Sequence, residues 1–114
     1  MSELRPQHAS DADFERLVLD TDLPVLVDFW ADWCGPCRRQ DPVLNELAQD
    51  LAGRARIVKV NVDDEPGLAA RFSVRSIPSL LVFRDGELVQ RHTGVQSRPT
   101  LLASLATDAP RTAA

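Results

Sequence analysis

The 114 residues contain no third cysteine and no third histidine, and of the 13 basic residues only Lys59 is a lysine. Each scarcity excludes something. A zinc site built on Cys34 and Cys37 would need two more soft ligands, and the spacing of His8 and His92 fits no finger pattern, so no metal is expected. No stretch approaches the roughly 20 apolar residues of a membrane span, so no membrane association is expected. Met1 to Arg16 is too polar for a signal peptide, and unless a leader has been removed the expectation is cytoplasmic, in a reducing compartment. With a net charge of −4 and no basic run to neutralise phosphates, nucleic acid is not an expected partner. Repeats and low-complexity segments are also missing. What remains, 44% hydrophobic and 26% charged, is the composition of one globular domain with one core.

Both cysteines fall in one stretch, Val25 to Pro42, after an apolar run with strand character and before a helical pattern. Residues three apart on a first helical turn have Cα atoms about 5–6 Å apart, within disulfide range, so Cys34 and Cys37 can bridge without backbone movement. Gly35 tolerates the turn, and Pro36 loses only an amide hydrogen that the first turn leaves unpaired. Cys34 therefore sits at the positive end of a helix, where free N–H groups and the dipole favour thiolate over thiol. Cys34 is the expected nucleophile and Cys37, one turn inward, the resolving thiol. A static structural disulfide is the plain alternative, but closing so short a loop removes little chain entropy.

Elsewhere the chain alternates strand and helix. Ser10 and Asp13 imitate a capping box ahead of Phe14, Leu17 and Val18, predicting a helix to about Leu19. Val25 to Trp30 is apolar on both faces apart from Asp28, the mark of a central strand. A second helix is predicted from Gly35 to Leu51 with Pro42 inside it, a third strand over Ile57 to Val62, and a short helix from Pro66 to about Phe72. Ser79 to Arg84 and Glu87 to Thr93 flank Asp85-Gly86, a two-residue hairpin turn requiring positive φ. Ser97 can cap a last helix carrying Leu101, Leu102 and Leu105. Any strand before residue 10 is short and, with Pro6 present, belongs at a sheet edge.

Trp33-Cys34-Gly35-Pro36-Cys37, preceded by Val27-Asp28-Phe29-Trp30 and followed by Pro42, resembles the thioredoxin family. The likeness continues through Lys59 to Asp63, Ile77-Pro78-Ser79, Asp85-Gly86 and Gly94. It implies an α/β thioredoxin fold, a central five-stranded mixed sheet flanked by four helices, with the Asp28 strand in the middle. The expected division is an N-terminal segment over 1–9, the domain over 10–107 and a flexible tail over 108–114. The implied activity is disulfide reduction in proteins by dithiol–disulfide exchange, with no bound cofactor beyond the Cys34–Cys37 disulfide. The implied partners are a thioredoxin reductase and oxidised protein substrates, met by a monomer. A disulfide isomerase or oxidase, and a binding subunit or holdase without turnover, are the alternatives. An isomerase or oxidase would need export and usually a more polar pair between the cysteines than Gly35-Pro36.

Burial of Asp28 should raise its pKa and suit it to proton transfer with Cys37, the role the resemblance assigns it. Lys59, on the neighbouring strand, is expected to bring its ammonium towards that carboxylate. The family has a cis proline at the Ile77-Pro78 position, and Ile77 and Pro78 are expected to form one wall of a peptide groove. Trp33, Gly35, Pro36 and the turn Thr93-Gly94-Val95 would complete it. The chain departs from its relatives at Gln40 and Asp41. Stepping the helix at about 100° per residue buries Gln40 beside Cys37, Leu44 and Leu47 and leaves Asp41 at the margin. Gln40 is expected to hydrogen-bond into the Asp28 region, and Asp41 to disfavour the Cys37 thiolate by its like charge.

Overall fold

The computed structural model describes residues 4–106. The tail expected over 108–114 and the first three residues of the N-terminal segment lie outside the described residues. The sheet is built around Val25–Trp30 (β2), with Arg56–Asn61 (β3) parallel to it on one side and Ser79–Arg84 (β4) antiparallel on the other. Gln7–His8 (β1) extends the parallel half beyond β3, and Glu87–Thr93 (β5) closes the antiparallel half, giving the order β1-β3-β2-β4-β5.

β2 reads as a continuous apolar run because both of its faces are covered. Val25, Val27 and Phe29 enter a core shared with Phe14, Val58, Val60, Leu81 and Phe83. Leu26 points the other way, into a second core with Leu44, Leu47, Ile57, Leu80, Val82 and Leu101. By alternation Asp28 lies on the Leu26 face, on which Gly35–Asp50 (α1) packs. Pro66–Arg71 (α2) and Arg98–Ala106 (α3) are the other α-helices. At α3 the Ser97 hydroxyl accepts from the Thr100 N–H at 3.3 Å, the cap expected there.

The strands β2, β4 and β5 have the predicted bounds, whereas β3 starts and ends one residue earlier than its alternation suggests. The first helix differs in kind. Ser10 N–H does donate to Asp13 Oδ1 at 2.7 Å, but the reciprocal bond of a capping box is not made: Ser10 Oγ accepts from Ala12 N–H at 3.2 Å, and Asp13 N–H goes to the Ser10 carbonyl, also at 3.2 Å. The segment that follows, Glu15–Leu19, is a wide π-type turn in which Asp20 N–H reaches back five residues to the Glu15 carbonyl at 2.8 Å. So short a segment has little helical stability of its own, and burial of Phe14, Leu17 and Val18 sets its winding. The Asp85-Gly86 turn has φ of 54° and 80°. Gly86 is required twice over, since a Cβ there would also stand 2.9 Å from the Leu19 carbonyl oxygen.

Candidate active site

Helix α1 begins where it does because Cys34 caps it. Cys34 has extended backbone angles (φ −93°, ψ 105°), and its sulfur accepts from the Cys37 N–H at 3.2 Å. Gly35 and Pro36 open the helix, so the proline stands where an amide hydrogen would have no intrahelical partner. The two cysteines form a disulfide with a Cα separation of 5.3 Å. Both are buried with Ala31 against Trp30, Val62 and Ile77. On reduction, the Cys37 N–H and the unpaired amides of the first turn are the donors that favour a Cys34 thiolate.

Asp28 is wholly buried, and neither carboxylate oxygen has a hydrogen-bond partner among the described residues. Its pKa is pushed up to about 7, mainly by burial; Lys59 opposes the shift and Asp41 adds to it. Lys59 stands opposite Asp28 in the parallel register of β2 and β3, as expected. Its ammonium does not bind that carboxylate. Nζ bonds instead to Asp41 Oδ1 at 2.6 Å and lies 4.5 Å from the centroid of the Trp30 ring. Asp41 thus stands on α1 as the partner of Lys59 and not as a lone charge, though its charge still acts on Asp28. His8, edge-on to Trp30 at 6.0 Å between centroids, has its pKa lowered by burial and then by Lys59.

The expected groove residues lie in three segments, two of them at Cys34 and the third joined to the second through Pro78. Trp33 is 68% exposed, yet its ring is fixed by a hydrogen bond from Nε1 to Asp63 Oδ2 at 2.9 Å. The Ile77 carbonyl oxygen lies 3.8 Å from Cys34 Sγ, and the Ile77-Pro78 bond is cis. Gly94, at φ 87°, donates its N–H to the Pro78 carbonyl at 2.8 Å, which ties the Thr93-Gly94-Val95 turn to the second segment. Beside Cys34, a Cβ on Gly35 would meet nothing within 4 Å, so that surface is open.

Gln40 is fully buried and fully bonded, but not towards Asp28. Its Nε2 donates to the Gln96 carbonyl at 3.0 Å and its Oε1 accepts from the Gln96 N–H at 2.7 Å. A backbone partner 56 positions away leaves no trace in the local pattern. Neither Asp63 nor Gln96 carries a functional signal of its own in the sequence. Asp63 does lie in the Lys59 to Asp63 run that carries the resemblance, which was a signal of sorts; Gln96 offered none.

The thioredoxin family model matches residues 5–107 of the chain. The chain belongs to the thioredoxin family. It is 50% identical to a thioredoxin of Haemophilus influenzae over 94 residues, 82% of this chain and 88% of that protein. It is 47% identical to a thioredoxin of Synechocystis sp. over 96 residues, 84% of this chain and 90% of that one. Among solved structures, a mutant thioredoxin from Halobacterium salinarum superposes with a TM-score of 0.84 at 34% identity, covering 96% of this chain and 98% of the other. With the family's cysteine pair in place, the chain is a thiol–disulfide oxidoreductase, a reductase working by dithiol–disulfide exchange. Among the described residues no group of three or more His, Cys, Asp or Glu could hold a metal ion, and no helix is long and apolar enough to cross a membrane.

Proposed function

We propose that this thioredoxin-family chain reduces disulfides in oxidised protein substrates, acting in the cytoplasm as a monomer, and is returned to its dithiol form by a thioredoxin reductase. The observation that carries the reading is the position of Cys34 as the cap of α1, its sulfur within 3.2 Å of the Cys37 N–H and one turn from the Cys37 thiol. The Cys34 thiolate attacks one sulfur of the substrate disulfide. A mixed disulfide forms, and the second substrate sulfur leaves with the bond's electron pair. Asp28, as carboxylate, takes the Cys37 proton; the Cys37 thiolate then attacks Cys34 Sγ, and the first substrate sulfur leaves. The substrate gains two electrons and, from solvent, two protons, while the chain gains its disulfide.

Lys59 limits the charge penalty of ionised Asp28 from across the register, its own charge shared with Asp41. Trp33, Gly35, Pro36, Ile77, Pro78, Thr93, Gly94 and Val95 form the surface on which an extended substrate segment lies. The exposed apolar faces of Trp33 and Val95 suit polypeptide. The Gly35-Pro36 pair favours a reductant over an oxidase or isomerase, because Pro36 has no N–H with which to stabilise the Cys34 thiolate further.

Insulin reduction driven by dithiothreitol tests the reading. The wild-type chain should accelerate precipitation of the insulin B chain and Cys34→Ser should not. Equal rates with and without the wild-type chain would leave a binding subunit or holdase as the better account.

A further inference from the structure

Gln40 lies one turn beyond Cys37 in the stripe that α1 buries with Leu44 and Leu47. An amide placed there is stabilising only if its polar atoms are bonded. Both bonds go to one residue: Gln96 receives a donor on its carbonyl and gives its N–H to the Gln40 oxygen, the pairing one strand offers another. Gln96 in turn folds its own side chain back, and its Nε2 lies 3.2 Å from both the Thr93 and the Gly94 carbonyl oxygens. Gly94 N–H reaches Pro78. A continuous set of hydrogen bonds thus runs from the helix that carries Cys37, through Gln96, to the Thr93-Gly94-Val95 turn and on to Pro78. An apolar residue at position 40 would fill the same stripe and make none of these connections.

We propose that Gln40, acting through Gln96, is a positioning residue for polypeptide substrates. It holds the Thr93-Gly94-Val95 turn in place relative to the cysteine pair, so that an extended chain meets this wall while its disulfide meets Cys34. The assignment rests on that turn being a wall of the groove proposed above. A disulfide too small to touch the turn is indifferent to Gln40.

The test is Gln40→Met, which keeps length and apolar contact with Leu44 and Leu47 and removes both bonds to Gln96. The KM for insulin should rise roughly threefold to tenfold, the scale of one or two lost hydrogen bonds, with kcat unchanged. The rate with a small aromatic disulfide should stay at the wild-type value, and amide exchange at Gln96 should accelerate. An unchanged insulin KM alongside faster Gln96 exchange overturns the proposal, and so does a parallel loss of rate with both substrates. Val95→Asp separates the two readings. If it too leaves the insulin KM unchanged, the turn is not a groove wall; if it raises KM while Gln40→Met does not, the groove stands and the brace fails. Should Gln40→Met not fold, Gln96→Ala decides: it removes only the side-chain bonds to Thr93 and Gly94, and a KM increase of about twofold or more supports the brace, whereas none overturns it.

Discussion

Lys59 Nζ lies 2.6 Å from Asp41 Oδ1, although the residue in register with Lys59 across the parallel strands is Asp28. The only lysine of the chain is thereby held by the half-exposed acid rather than by the buried one. Two effects on Asp28 follow. Among the described residues its carboxylate has no hydrogen-bonded cation, and the Asp41 charge adds to the effect of burial in raising its pKa. The groups that face this pair from neighbouring elements are the ring of Trp30, over which Lys59 also lies, and His8 on β1, which with Arg5 and Asn45 lines the same cavity as Lys59 and Asp41.

Asp41→Asn should therefore lower the pKa of Asp28 from about 7, since it removes one raising charge and frees Lys59 to approach. A drop of roughly one unit is expected, within the range for an added cation near a carboxylate. Carbon-13 titration of the Asp28 carboxyl in the oxidised protein measures it directly. An unshifted titration would mean that Lys59 stays where it is without Asp41. Lys59→Met should move the same titration upward.

The parts legible in advance were those specified within a few residues of themselves. β2 shows as an unbroken apolar run, the β4–β5 hairpin by Asp85-Gly86, and the start of α1 by Gly35-Pro36 between the cysteines. Burial of Gln40 was also legible, because helical stepping from Cys37 needs no tertiary information. Its partner was not, since a backbone amide at Gln96 carries no residue signature. The choice of Asp41 over Asp28 by Lys59 was hidden for a different reason: the family resemblance implies the strand adjacency, but a long flexible side chain can reach two acids, and solvation decides between them. A carboxylate that keeps contact with water is the cheaper one to leave ionised. The π-type winding of Glu15–Leu19 likewise depends on what Phe14, Leu17 and Val18 pack against.

Cys37→Ser should still attack a disulfide but stop at the mixed disulfide, because only the second thiol can displace the first substrate sulfur. Non-reducing gels with an oxidised protein substrate should show an adduct with Cys37→Ser and none with Cys34→Ser. An adduct in the reverse pattern would exchange the roles of the two cysteines.

Asp63→Ala removes the hydrogen bond that holds the exposed Trp33 indole. An exposed hydrogen bond contributes little to folding, so the urea midpoint should shift by no more than the equivalent of about 1 kcal/mol. The insulin KM should nevertheless rise, since a ring free to rotate must be ordered on binding. If stability falls well beyond that bound while KM stays constant, Asp63 serves the fold and not the groove.

Asp28→Asn separates the two sides of burying an acid. In the unfolded chain Asp28 titrates near its ordinary value of 3.8, and in the folded chain at about 7. Between these values the folded state still holds a proton that the unfolded state has lost, so wild-type stability falls as pH rises through this window and levels off above it. Asparagine removes that dependence. The variant should match the wild type in the acid part of the window and exceed it above neutrality by on the order of 3 kcal/mol, a figure reduced from the full shift because the new amide is itself buried. Activity should move the opposite way, with insulin reduction slowed chiefly above neutral pH, where the Cys37 proton has lost its acceptor. Urea midpoints at about pH 5 and pH 8 decide the first half. A gain of equal size at both would show that the amide improves packing and that the carboxylate's charge is not what destabilises the wild type.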